Sequence, residues 1–274
     1  MRCRRRSFRL RSLAATLLGG ALLWLASSGV LPAEPELRLV GAELAPYAYQ
    51  ENNQTRGLGV EIMQEIGRRL GHSGKVTLMP FKRAFQNARS RNNLLMAPVA
   101  RVPSREGQLQ WAIHFIDDQF FYVSRAGSLP LTHSKARQGG VIGVLAGSAP
   151  LAQLLRAGVS NYLEQTRDTA NIDMLRVGRI DAWFTSAILL SAAFKSNPEL
   201  APADFVIGPA QSRHCVYIVA SNDTAAALLR PWQQTFATMQ TDGTAHEIVS
   251  RYLNLELQAL LDARERAGDD CEQH

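Results

Sequence analysis

Cysteine is scarce in this 274-residue chain, with three residues in all, and no CxxC pair occurs. The six histidines (His72, His114, His133, His214, His246, His274) are scattered. None has the close spacing that zinc sites draw on, so neither a metal nor another cofactor is expected. A P-loop, a GxGxxG after a strand and a GxSxG elbow are all missing, which removes the common nucleotide-binding and hydrolase signatures. The nearest nucleophile-like string is Ala146-Gly147-Ser148-Ala149-Pro150, and sequence nominates no histidine partner for it. A catalytic triad is defined by geometry rather than by one string. There is no internal repeat and no low-complexity segment.

A basic surface is also lacking, although the whole chain carries a formal +6. The surplus lies in the first 33 residues, which hold six arginines (Arg2, Arg4, Arg5, Arg6, Arg9, Arg11) and no acid. The rest is balanced, so no nucleic-acid surface is expected, because such a surface needs its excess in the folded part. The arginines precede an apolar stretch from Leu13 to Leu25, interrupted by glycine and short for a membrane span. Small residues follow, and Leu31-Pro32-Ala33 before Glu34 fits a cleavage site. Residues 1–33 thus read as a signal peptide cut near Ala33, which expects a periplasmic product; the other reading is a retained anchor. Arg5-Arg6-Ser7-Phe8 is similar to a twin-arginine signal, and the choice between export routes stays open. No cysteine follows the apolar run, so a lipid anchor is not expected. Cys215 and Cys271 remain in the exported part, where a disulfide is permitted, and whether they pair is left open.

About 240 residues remain, enough for one large or two ordinary cores. Strand-like runs fall at Glu36–Gly41, Lys75–Met79, Leu94–Val99, Gln119–Ser124, Val141–Leu145, Ile180–Phe184, Phe205–Ile207 and Cys215–Ala220. Between them apolar residues recur at three and four, as in Ile62, Met63, Ile66 and Leu70 before the helix stop Gly71. Thr224 to Leu253 reads as two helices broken by Thr241-Asp242-Gly243-Thr244. The alternation predicts an α/β protein with parallel sheets under covering helices. Turn-rich breaks near 125–140 and at Gly208–Ser212 flank one β-α block, as though a second lobe were inserted into the first. The tail from Asp262 to His274 is charged and expected to fray.

Several strings occur together in a telling order: Glu43-Leu44-Ala45-Pro46-Tyr47-Ala48-Tyr49 with Gly57-Leu58-Gly59-Val60-Glu61-Ile62, then Met79-Pro80-Phe81-Lys82-Arg83-Ala84. Ala100-Arg101-Val102-Pro103-Ser104-Arg105 follows, and then Ile142-Gly143-Val144-Leu145-Ala146-Gly147-Ser148 with Gly178-Arg179-Ile180-Asp181-Ala182-Trp183. In this order they resemble the type II periplasmic solute-binding proteins, specifically family 3, which serves amino-acid ABC importers. The resemblance covers nearly everything from Leu37 to Leu253. It implies two α/β lobes joined by a hinge of two crossover segments, with solute held in the cleft. Lobe one would be 36–115 plus 213–253, lobe two 116–212, and 254–274 a flexible tail.

The resemblance also implies a site. Arg105 ends the motif whose arginine pairs with a ligand carboxylate in the family, and a guanidinium fork suits that planar group. Ser148 stands where a strand passes into a helix, a place that favours anions and equally suits a plain N-cap. Tyr47 and Phe81 would form an aromatic wall, or belong to the core. Arg83 and Arg101 would add positive charge near the cleft, or be solvated surface. Glu43 would face the cleft or cap a strand end.

The chain also departs from the family. Amino-acid binders place a carboxylate a few residues after "GRiDa" to hold the ligand's ammonium, and Ser186 stands there instead. A hydroxyl does not neutralise an ammonium, and a buried unpaired charge is costly. The expected ligand is therefore a carboxylate-bearing solute, an amino acid or a relative of one, unless Glu43 supplies the missing charge. A monomeric, non-enzymatic receptor for an ABC permease leads the functional readings. A sensor or accessory module and a dehydratase-like periplasmic enzyme are the alternatives, and the enzyme needs a general acid in the cleft.

Overall fold

Apolar residues at consecutive positions mark strands that are covered on both faces. Leu94–Ala100 and Ala182–Ser186 are such runs, buried almost throughout. A computed structural model describes residues 36–166, 168–254 and 256–257. The leader with its cleavage site near Ala33, the tail from Asp262 and Cys271 lie outside the described residues. Among the described residues, no helix is long and apolar enough to cross a membrane.

The chain begins with β1 (Arg38–Ala42) and the hairpin β2 (Tyr49–Glu51) and β3 (Gln54–Arg56). Next come α1 (Leu58–Leu70), β4 (Val76–Met79), α2 (Phe81–Ser90), β5 (Leu94–Ala100) and the long strand β6 (Gln110–Arg125). A second run follows: α3 (His133–Ala136), β7 (Ile142–Leu145), α4 (Ala149–Arg156), β8 (Tyr162–Gln165), α5 (Asp168–Arg176), β9 (Ala182–Ser186) and α6 (Ala187–Ser196). The fold ends with β10 (Phe205–Ile207), β11 (Ser212–Ala220), α7 (Ala226–Thr241) and α8 (Thr244–Tyr252).

Strand order in the large sheet is β4-β1-β5-β11-β6-β9-β7-β8, with β10 on β6. β1, β4 and β5 run parallel, as do β7, β8 and β9. The parallel sheets expected are present in these two blocks, and between them β6 and β11 run antiparallel to each other and to their outer neighbours. The reason lies in the length of β6. Its first half pairs only with β11, which is itself paired to β5. Its second half pairs with β9 and β10. The pair β11–β6 thus bridges the two parallel blocks, β11 pairing with β5 and β6 with β9, and each block keeps its own cores. One pair of apolar clusters gathers around β1, β4 and β5 and another around β7 and β9. This is a two-lobed α/β fold.

Local signals account for the helices nearest the site. Gly71 closes α1 in the left-handed conformation (φ 73°), which glycine adopts at no steric cost. Ser148 and Ser186 cap α4 and α6 through their hydroxyls, and Gly243 sits at the break between α7 and α8.

Candidate functional site

Parallel strands leave a crevice beyond their carboxyl ends, where connecting loops converge. The chain follows this rule at β1, β4, β5, β7 and β9, whose exits line one cavity of about 400 Å³. The β1 exit contributes Glu43 and Tyr47, the β4 exit Pro80 and Phe81, and the β5 exit Ala100 and Arg105. Opposite them stand Ala146 to Ala149 after β7, Ser186 at the end of β9, and Ala152 on α4. The floor is built by Asp118 and Phe120 of β6 with His214 and Val216 of β11. A wider groove of about 1330 Å³ shares Glu43, Leu44, Ala146 and Leu189 with the cavity, so the two adjoin.

Arg105 enters this space on a single 3-10 turn, Pro103–Arg105. Its Nη1 donates to the Ala100 carbonyl at 2.8 Å. The guanidinium lies 5.0 Å above the Phe81 ring and 5.5 Å from Phe85. Those two rings stack on each other, 5.8 Å apart, because positions i and i+4 share one face of α2. Burial first, and then the charge of Arg156, lower the pKa of Arg105. No carboxylate among the described residues makes an ion pair with it.

Tyr47 and Ser148 are held by internal bonds. Tyr47 is 3% exposed, meets Phe115 edge-to-face at 6.3 Å, and donates to Asp118 Oδ2 at 3.1 Å. It is both cavity wall and core. The Ser148 hydroxyl donates to the Leu145 carbonyl at 2.7 Å and accepts from the Leu151 amide at 3.2 Å.

Asp118 is the residue that the sequence reading missed. It is 5% exposed and gathers four donors: the amides of Gln119 (2.9 Å) and Ile188 (3.1 Å), and the hydroxyls of Tyr47 and Ser186. Burial pushes its carboxyl up to about 6 against the pull of those bonds. Ser186 therefore does not stand in an acid-free site, and its hydroxyl holds the acid of the adjacent strand. The cavity thus holds an acid, the group that a cleft enzyme would need. Four donors nearly fill the acceptor capacity of one carboxylate, which suits a fixed charge better than a proton shuttle.

His214, also missed, faces the cavity with its ring 4.5 Å from Phe120. Its Nε2 meets the Ser212 hydroxyl at 2.9 Å. Burial, then Arg156 and Arg105, lower it to about 4, while the Arg101 backbone opposes them. The only sequence signal for either residue was the alternation of strands. In Ile116-Asp117-Asp118-Gln119, a period of two sends one aspartate inward.

Six of the eight expected site residues meet in the cavity: Glu43, Tyr47, Phe81, Arg105, Ser148 and Ser186. Arg83 and Arg101 do not. Arg83 is exposed on the outer side of α2, one of the residues for which helical spacing points away from Phe81. Arg101 follows Ala100, so its side chain leaves by the other face. There it bonds Glu106 at 2.9 Å and lies over Trp111 and Tyr217. His114, Asp117 and Cys215 come within 4.8 Å of one another, but Cys215 is disulfide-bonded and offers no thiolate to a metal.

A cavity at the strand ends of two α/β blocks, floored by the two strands that join them, defines a two-lobed binding protein. Residues 39–255 match the profile of the bacterial extracellular solute-binding proteins, family 3, and the chain belongs to that family. No curated protein matches the sequence. Among solved structures, a mutant of ArgBP from T. maritima shares 19% identity, covering 79% of this chain and 94% of that one, with a TM-score of 0.63. A solute receptor for L-cysteine of Neisseria gonorrhoeae is similar at 21% identity, 79% and 89% coverage, and TM-score 0.62. A histidine kinase sensor domain with similarity to periplasmic binding proteins reaches TM-score 0.66 at 15% identity, covering 80% and 96%. Identities this low speak for the fold alone.

Proposed function

We propose that this solute-binding protein captures a small carboxylate-bearing solute, an amino acid or a relative of one, and delivers it to an ABC importer from the periplasm. One observation carries the reading. Arg105 presents a guanidinium inside the cavity, braced by the Ala100 carbonyl and two stacked rings, with no carboxylate paired to it among the described residues. A half-buried cation has lost part of its hydration, and a ligand carboxylate compensates through two parallel bonds. Asp118, whose acceptors are taken but whose charge faces the cavity, and Glu43 give the same cavity a negative side for an ammonium group. The ligand would then be gripped as a zwitterion, with the acid supplied from β6 rather than from the end of β9.

Lobe one is taken as 36–115 with 213–253 and lobe two as 116–212, with bending in β6 and β11. Closure would follow from a solute that touches both lobes, since only differential affinity shifts the equilibrium. Sensing is a second reading, favoured by the similarity to a histidine kinase sensor domain.

A thermal-shift screen of the chain from Glu34 against amino acids, opines, dicarboxylates and aromatic acids tests the first reading. At a hundredfold excess over Kd, a hit stabilises by about 3 kcal/mol. Calorimetry with Arg105→Ala then decides the contact, and unchanged affinity sinks it. Product formed from prephenate or arogenate would move the assignment to an enzyme.

A further inference from the structure

The face of α4 that borders the cavity continues beyond it. Ala149 and Ala152 line the space, and Arg156, four residues on, stands one turn further along the same face. Gln153 ties this helix to β11, because the Ser212 hydroxyl donates to its Oε1 at 2.5 Å and also meets His214 Nε2. Arg156, exposed and outside the cavity lining, is thereby directed toward His214 and Arg105, close enough for its charge to lower the pKa of both. Neither arginine makes an ion pair with any acid among the described residues. Asp118, the nearest buried acid on β6, is already committed to four donors. Glu43 stands at the rim that the cavity shares with the outer groove.

We propose that Arg156 is the second arm of an anion clamp, closing from α4 on the same solute that Arg105 holds, and that the solute carries two negative groups. The inference rests on the carboxylate reading of Arg105. A single carboxylate neutralises one guanidinium and leaves the other facing like charge, whereas a dicarboxylate or an acidic amino acid neutralises both. The two guanidinium charges repel each other. A doubly anionic solute reverses the sign of that interaction and draws α4 inward. His214 is neutral and adds no third charge.

Calorimetry with L-glutamate, glutarate, L-glutamine and L-arginine tests the clamp. The expected result is that L-glutamate or glutarate binds at least about tenfold more tightly than L-glutamine, with the ratio falling to about twofold in Arg156→Gln. Arg156→Lys restores most of the ratio, and Arg176→Gln, an exposed arginine of α5, leaves it as in the wild type. A ratio near one, a ratio untouched by Arg156→Gln, or tightest binding of L-arginine overturns the proposal. If none of the four binds, sodium sulfate is compared with sodium chloride at equal ionic strength. A larger gain in Tm from sulfate in the wild type than in Arg156→Gln supports the clamp, and equal gains overturn it. Loss of all binding in Arg105→Gln with no effect of Arg156→Gln leaves the carboxylate reading intact and removes this one. Full binding in Arg105→Gln removes both.

Discussion

Asp118 and His214 stand directly opposite one another on β6 and β11, the two strands that join the parallel blocks, and both side chains face the cavity. Cross-strand partners share one face of a sheet. Burial acts on the pair in opposite senses, raising the acid to about 6 and lowering the imidazole to about 4. Burial favours the neutral form of each relative to the unfolded chain, so near neutral pH His214 is uncharged while Asp118 keeps its charge.

The first prediction concerns pH. Asp118 binds its proton more tightly folded than unfolded, so its contribution to stability grows as pH falls from about 6 to 4. His214 takes up a proton more readily when unfolded, so its contribution shrinks as pH falls from about 6.5 to 4. In the wild type these slopes oppose each other. Urea titrations between pH 4 and 7 should show His214→Gln gaining stability relative to the wild type on acidification and Asp118→Asn losing it. Parallel curves for all three proteins would contradict the assignment.

Arg105→Ala should weaken binding of a carboxylate solute by about 3 kcal/mol, on the order of a hundredfold. Arg105→Lys should recover only part of this. A lysine is a point charge and reproduces neither the paired bonds nor the stacking on Phe81 and Phe85. Calorimetry on the three proteins reads the difference.

Tyr47→Phe removes one of the four donors on Asp118 while keeping the ring against Phe115. A loss of about 1 kcal/mol in denaturant unfolding is expected. The Asp118 carboxyl should also titrate at higher pH, which carbonyl-carbon NMR reports.

Gly57 precedes α1 at φ 126°, and a Cβ there would fall 2.4 Å from the Tyr47 carbonyl carbon and oxygen. Both the dihedral and the contact exclude a side chain. Gly57→Ala should cost about 1–3 kcal/mol of stability and displace the Tyr47 loop. Weaker ligand binding should accompany the lower Tm. Unchanged affinity with lowered stability would separate this loop from the site.

Much of this architecture was legible beforehand. The eight strand-like runs all coincide with strands, and the break at Thr241–Thr244 separates α7 from α8. Dense apolar residues and glycine stops are local signals, and local signals survive in sequence. The β2–β3 hairpin, the edge strand β8 and the first half of β6 were not seen. Their burial is partial and their side chains are mixed, so no apolar run marks them.

The sequence alone determined the α/β alternation, the family and the candidacy of Arg105, because periodicity and ordered motifs are properties of the chain. Which arginines face the cavity was decided by the tertiary structure. Arg101 and Arg105 are four residues apart and leave by different faces. The acid was likewise decided in three dimensions. Sequence looked for it at Ser186, and the fold supplies it from Asp118, a neighbour only through strand pairing and distant along the chain. Burial and charge then depend on every element packed around a group, and no stretch of sequence carries that sum.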